Sequence, residues 1–175
     1  MSDDSSSNVM IGRLDSGHVI VVTGRGTCRE SAAVARFATE SLRAGTGTVT
    51  IDLSACNHLD STFLGCLVQL HREFNVSQPP RMVVVASPEQ VQKLLAPSRL
   101  NTLLSVTPKS PVLRDTLMML SDEDIDQFEM GTHVMECHRV LAELGGPQAA
   151  AFAAVADQLG RELGGRQPVP GKRGE

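Results

Sequence analysis

Asp60-Ser61-Thr62 sets a carboxylate and two hydroxyls directly before an apolar segment in which Leu64, Leu67, Val68 and Phe74 follow helical spacing. Thr48, Val49, Thr50 and Ile51 upstream have strand composition, so Ser61 falls at a strand-to-helix junction. Unpaired backbone N–H groups converge at a helix start, and such a position attracts negative charge and can cradle a phosphate. All three residues are also ordinary helix caps. A hydrolytic reading would make Ser61 the nucleophile and a nearby histidine its base. His71 is ten residues further along the same helix, roughly 15 Å by helical rise, which leaves His58 as the base. No GxSxG elbow frames Ser61.

Other groups give weaker chemistry. His133 and Cys137 are one helical turn apart with His138 adjacent, but a structural zinc takes four protein ligands, and no metal is expected. Gly24-Arg25-Gly26 does not continue as GxGxxG because Arg29 takes the last glycine position, and no GxxxxGK[ST] is present. No cofactor is expected; a nucleotide would have to come with a partner.

The elements that must position these residues alternate. Val9 to Leu14 predicts a short strand, and His18 to Thr23 a buried one through Val19, Ile20, Val21 and Val22. Thr27-Cys28-Arg29-Glu30 fits a capping box and opens a helix that carries Val34, Phe37, Ala38 and Leu42 inward and ends near Gly45. Val49 to Leu53 is the central strand, with His58 in the loop that leads to the Ser61 helix, which stops before Pro79-Pro80. Met82 to Ala86 is a further strand, and Ser87-Pro88-Glu89-Gln90 starts another helix. Leu100 to Val106 reads as strand or loop, and Pro111 to Leu120 as helix. The result is an α/β sandwich, a mixed β-sheet with helices packed on it.

Ser121 is expected to cap a helix whose first turn is Asp122-Glu123-Asp124 and whose seam is Met130, Val134, Cys137, Leu141 and Leu144. After Gly145-Gly146-Pro147 a second helix aligns Phe152, Val155, Ala156, Leu159 and Leu163. Together they predict a C-terminal helical hairpin over 121–165, packed on the α/β unit or else joined to a partner or to a second copy as a homodimer. Residues 1–8 and the Pro/Gly-rich tail 166–175 are expected to be disordered.

The motif resembles the STAS domain of bacterial anti-sigma factor antagonists. That family reads Asp-Leu-Ser at the strand end and then Asp-Ser-Ser/Thr-Gly-Leu-Gly; here the match is Ile51-Asp52-Leu53-Ser54 and Asp60-Ser61-Thr62-Phe63-Leu64-Gly65. The resemblance implies a STAS-like sandwich over 9–120. It further implies a non-enzymatic regulator that binds an anti-sigma factor, a GHKL-type serine kinase, through Thr27 and residues Asp60 to Gly65. Ser61, or alternatively Thr62, would receive the phosphate, and a phosphatase would remove it. Phe63 replaces the usual Gly and would set a large aromatic beside the docking surface. Gly24-Arg25-Gly26-Thr27 lacks the acid of the family's Gly-x-Leu-Asp. A constitutive scaffold subunit of a signalling or transporter assembly is the alternative, and a small-molecule-binding or hydrolytic domain the more distant one.

Composition narrows the field. At 175 residues and 41% hydrophobic, the chain can bury a core without disulfides. With 3% aromatics and no Trp or Tyr it lacks base-stacking platforms, and a net charge of -4 disfavours a phosphate backbone, so direct nucleic-acid binding is not expected. Residues 1–115 carry 11 Lys/Arg against 10 Asp/Glu and residues 116–175 carry 5 against 10, so the hairpin holds the acidity. This suits a helix N-terminus or a basic partner. Cys28, Cys56, Cys66 and Cys137 form no CxxC pair and read as reduced thiols. No apolar run is long enough to span a bilayer, and the acidic start MSDDSSSN is unlike a signal peptide, so a cytoplasmic location without membrane insertion is expected.

Overall fold

The computed structural model describes residues 7–165; of the ends expected to be disordered, 1–6 and 166–175 lie outside the described residues, while Asn8, at the end of the expected disordered 1–8, is already the first residue of a strand. Strands β1 (Asn8–Leu14) and β2 (Gly17–Gly26) form an antiparallel hairpin, and β3 (Thr48–Leu59), β4 (Met82–Val85) and β5 (Val106–Thr107) continue from β2 in parallel. The two-residue β6 (Met118–Met119) returns to the free edge of β1, giving a mixed six-stranded sheet in the order β5-β4-β3-β2-β1-β6. Helices α1 (Cys28–Arg43) and α2 (Ser61–Phe74) are the crossovers on either side of β3 and pack against each other. Ile20, Val22, Ile51, Leu53 and Val84 from the strands meet Val34, Ala38, Leu42, Phe63 and Leu67 from the helices, all fully buried. Burial of each such side chain contributes about 1.5–3 kcal/mol.

Several elements differ from their sequence patterns for local reasons. β3 runs to Leu59, so His58 is an exposed strand residue opposite Arg25 and does not sit in a loop. Two register shifts, between Val21 and Thr23 and between Gly24 and Arg25, each add a residue to β3 and break the alternation by which a strand is recognised. The Ser87–Gln90 capping box closes as expected and begins a single turn, α3 (Pro88–Gln90), which continues as a π-helical turn over Val91–Leu95. Gln90 donates from Nε2 to the Leu53 and Ser54 carbonyls at 2.8 and 2.6 Å, tying this turn to β3. Leu100–Thr102 is a 3-10 turn before β5. The predicted helix over Pro111 to Leu120 is absent: the segment is irregular until β6, and Leu113 and Leu117 lie over Gly12, where a Cβ would leave them no room.

The hairpin forms as two helices, α4 (Gln127–Glu143) and α5 (Ala149–Gly164), joined across Gly145 and Gly146, both at positive φ. α4 starts six residues later than Ser121, because Asp126 is the cap and accepts from the Glu129 amide at 2.8 Å. The acidic run is held by α1: Asp122 pairs with Arg29 and Glu129 with Arg36. The expected seams are only partly buried. Cys137 and Leu141 on α4 and Ala156 on α5 are enclosed, while Leu144 and Val155 are exposed.

Candidate functional site

Asp60 organises the site. Its amide donates to the Gly26 carbonyl at the end of β2, which fixes the turn between β3 and α2. One carboxylate oxygen accepts from the Phe63 amide at 2.8 Å and caps α2; the other accepts from the Cys28 amide at 2.7 Å, in the first turn of α1. One side chain therefore serves two helix N-termini, a stabilising place for negative charge. Thr27 lies just before α1, and its amide donates to Glu30 at 3.0 Å in the expected capping box.

Ser61 is the first residue of α2 and is half-buried. Its side-chain partner comes from the hairpin: Ser61 Oγ lies 3.0 Å from Nε2 of His138. His138 Nδ1 donates to the Val134 carbonyl at 2.8 Å, so Nε2 is the acceptor and Ser61 the donor. His58, the base that a hydrolytic reading would need, is exposed on β3 and is not the partner of Ser61. Thr62 is only 3% exposed, which disfavours it as an acceptor of phosphate in this conformation.

Phe63 is fully buried beneath Gly26 and Leu59, which corrects the expectation of an aromatic on the docking surface. Leu64 and Gly65 are buried as well. Gly65 lies against the main chain of α4, and a Cβ there would come 2.4 Å from the Cys137 carbonyl oxygen. Of the residues expected to contact a partner, Thr27, Asp60 and Ser61 retain some exposure; Thr62, Phe63, Leu64 and Gly65 are covered. The sequence carried a signal for that cover: no charge occurs from Ser61 to Leu70, and a helix apolar on every side is enclosed on every side.

A second polar contact joins α4 to the domain. Ser31 donates to the Cys28 carbonyl at 2.9 Å and accepts from His133 Nε2 at 2.8 Å. Burial pushes the His133 pKa down, against the nearby charges of Asp60 and Glu129. Cys66 and Cys137 are enclosed in the same layer; burial raises the Cys66 thiol to about 12 and pushes Cys137 up too, so neither is a ready thiolate. Among the described residues no group of three metal-ligating side chains converges.

The Ser61–His138 contact has the donor and acceptor of a nucleophile–base pair, but its orienting group is a main-chain carbonyl. Ser61 lines none of the main clefts. One of them, about 870 Å³ between α1, α2 and α4, is lined by Arg36, Arg43, Arg72, Gln69 and His133 among others, and its three arginines are paired with Glu129, Glu73 and Glu143.

The family model described as "Mlab, STAS domain" matches residues 9–106. The chain belongs to the STAS domain family. No curated protein matches it. The matched span holds β1 through the start of β5 together with Asp60 and Ser61, and leaves α4 and α5 as an extension of the STAS domain. A STAS domain is a regulatory, protein-interaction unit. No described helix is long and apolar enough to cross a membrane.

Proposed function

We propose that this STAS protein is a non-enzymatic regulator resembling an anti-sigma factor antagonist, which binds a GHKL-type anti-sigma kinase in a manner switched by phosphorylation of Ser61. The observation that carries this reading is Ser61 at the start of α2 beside an Asp60 that caps two helices. Phosphorylation there adds about -1.5 to -2 units of charge and three acceptor oxygens. The helix start tolerates that charge, while a partner surface complementary to a neutral hydroxyl is repelled by it. A small chemical change then shifts a binding equilibrium without a change of fold.

Two measurements test it. Phosphopeptide mapping of protein from its native cells resolves Ser61 from Thr62, and phosphate at Ser61 is the expected result. Partner affinity of Ser61→Ala should match that of the unmodified protein, and Ser61→Asp should bind at least tenfold more weakly. Equal affinity of the two variants removes the switch.

The cover formed by α4 favours a second reading, a constitutive scaffold subunit of a larger assembly. Co-purification at fixed stoichiometry, indifferent to phosphatase treatment, would identify it.

A further inference from the structure

The hairpin adds Cys137 and Leu141 to the hydrophobic core, but its contact with the STAS domain also holds polar groups that the sheet side lacks. α4 buries only Cys137, His138 and Leu141, and α5 only Ala156. Beside these buried side chains are hydrogen-bonded polar pairs, Ser61 with His138 and Ser31 with His133, whose groups water can satisfy when the helices part. Around them run three solvent-facing ion pairs, Arg29–Asp122, Arg36–Glu129 and Arg72–Glu143. Mixed polar contacts inside a rim of ion pairs are typical of surfaces within one chain that separate and rejoin. The connection also permits motion, since between β5 and α4 the only regular structure is the two-residue β6.

Resting on the proposed switch at Ser61, we infer that the hairpin is a gate over α2, and that its docking and any ligand at Ser61 exclude one another. The 3.0 Å between Ser61 Oγ and His138 Nε2 holds no further atom, so a phosphoryl group on Ser61 breaks this tie between α2 and α4. The Gly65 contact is equally strict, because the Cys137 carbonyl occupies the place of a side chain. A partner that docks on this face of α2 meets the same obstacle and must find the hairpin open; a phosphate parts the hairpin too, but its charge then stands where the partner would dock, so it still weakens partner binding. Coupling is reciprocal: the factor by which phosphate weakens hairpin docking is the factor by which docking disfavours phosphorylation.

Hydrogen-exchange mass spectrometry on the full chain tests the gate. Amides of α4 and α5 should exchange at least tenfold faster in Ser61→Asp than in Ser61→Ala or the unmodified protein, with those of β2 and β3 unchanged. Gly65→Ala is an independent wedge: alanine strengthens α2 as a helix, yet its Cβ strikes the α4 main chain, and the same selective acceleration is expected. Hairpin amides that exchange in step with β3 in all of these proteins overturn the gate. The two readings fail separately. Selective opening in both variants with no phosphate in cells sinks the switch and keeps the gate; phosphate at Ser61 with an unchanged hairpin sinks the gate and keeps the switch.

Discussion

Phe63 and Gly65 stand two residues apart on α2 and meet different neighbours. Phe63 is packed beneath Gly26 and Leu59 of the sheet, while Gly65 touches the main chain of α4. The first contact lies within the span that matches the STAS family, and the second joins that span to the hairpin outside it. On the sheet side the neighbours are aliphatic strand residues, Val22, Ile51 and Leu53, buried completely. On the hairpin side hydroxyl–imidazole pairs and surface ions share the contact with Cys137 and Leu141. The difference teaches that one helix can serve a permanent layer with one face and a conditional layer with the other.

The largest expected effect comes from the permanent side. Phe63→Ala empties a fully enclosed position and should cost about 3–5 kcal/mol, read as a lower midpoint in urea unfolding. The loss should fall on the whole molecule, because the hairpin rests on the helix that Phe63 anchors. A cost below about 1 kcal/mol would mean that the sheet side collapses around the gap and is no firmer than the other. Leu141→Ala on the conditional side removes a side chain only 3% exposed and should cost about 2–3 kcal/mol. That loss should appear as faster exchange in α4 and α5 while β3 keeps its protection. Equal losses in β3 would merge the two layers into one cooperative unit.

The permanent side was legible in the sequence for the same reason that it is firm. Val19 to Val22, Val49 to Leu53 and the Thr27–Glu30 box are local signals, and each element formed where its pattern placed it. The later half of β3 was hidden because two extra residues break the alternation at Ser54 and Asn57. The helix expected over Pro111 to Leu120 failed because β1 offered a free edge to Met118 and Met119, and tertiary pairing overrode the local pattern. At the site, spacing placed Asp60 and Ser61 at a helix start, and the resemblance to the STAS family singled out Ser61. His138 could not, since it is brought to Ser61 across 77 residues by the docking of α4. Its seam neighbours Cys137 and Leu141 were visible, but nothing local states which surface a seam will meet.

Acidity should separate the layers next. His133 is half-buried at the hairpin contact and its pKa is lowered, desolvation being the larger cause, with Asp60 and Glu129 opposing it. In the open or unfolded state the imidazole regains its ordinary pKa of about 6.5 and takes up protons that the docked state refuses. Docking is therefore undiminished above about pH 6.5 and weakens as the pH falls from there toward the lowered value. His71 on α2, lowered by burial as well, adds in the same direction to the stability of the whole fold. Thermal unfolding followed by circular dichroism from about pH 7.5 down to about 5.5 should show a falling midpoint, with a flatter dependence in His133→Gln. A hairpin that tightens on acidification would reverse the assignment.

The smallest effect is expected at the rim. Arg72 Nη1 lies 2.6 Å from Glu143 Oε2, but the two side chains are 41% and 54% exposed, so water and salt share the interaction. Arg72→Gln should cost about 0.2–1 kcal/mol of hairpin docking, and most of that difference should vanish near 1 M salt, where screening acts over about 3 Å. The matched variant Glu143→Gln should cost the same, and the double variant little more than either alone, because the pair is lost only once. A cost above about 2 kcal/mol, persisting in high salt, would mean that charge clamps the hairpin from its edge. The conditional layer would then be held by its rim, and a phosphate at Ser61 would have to overcome the arginines as well as displace His138.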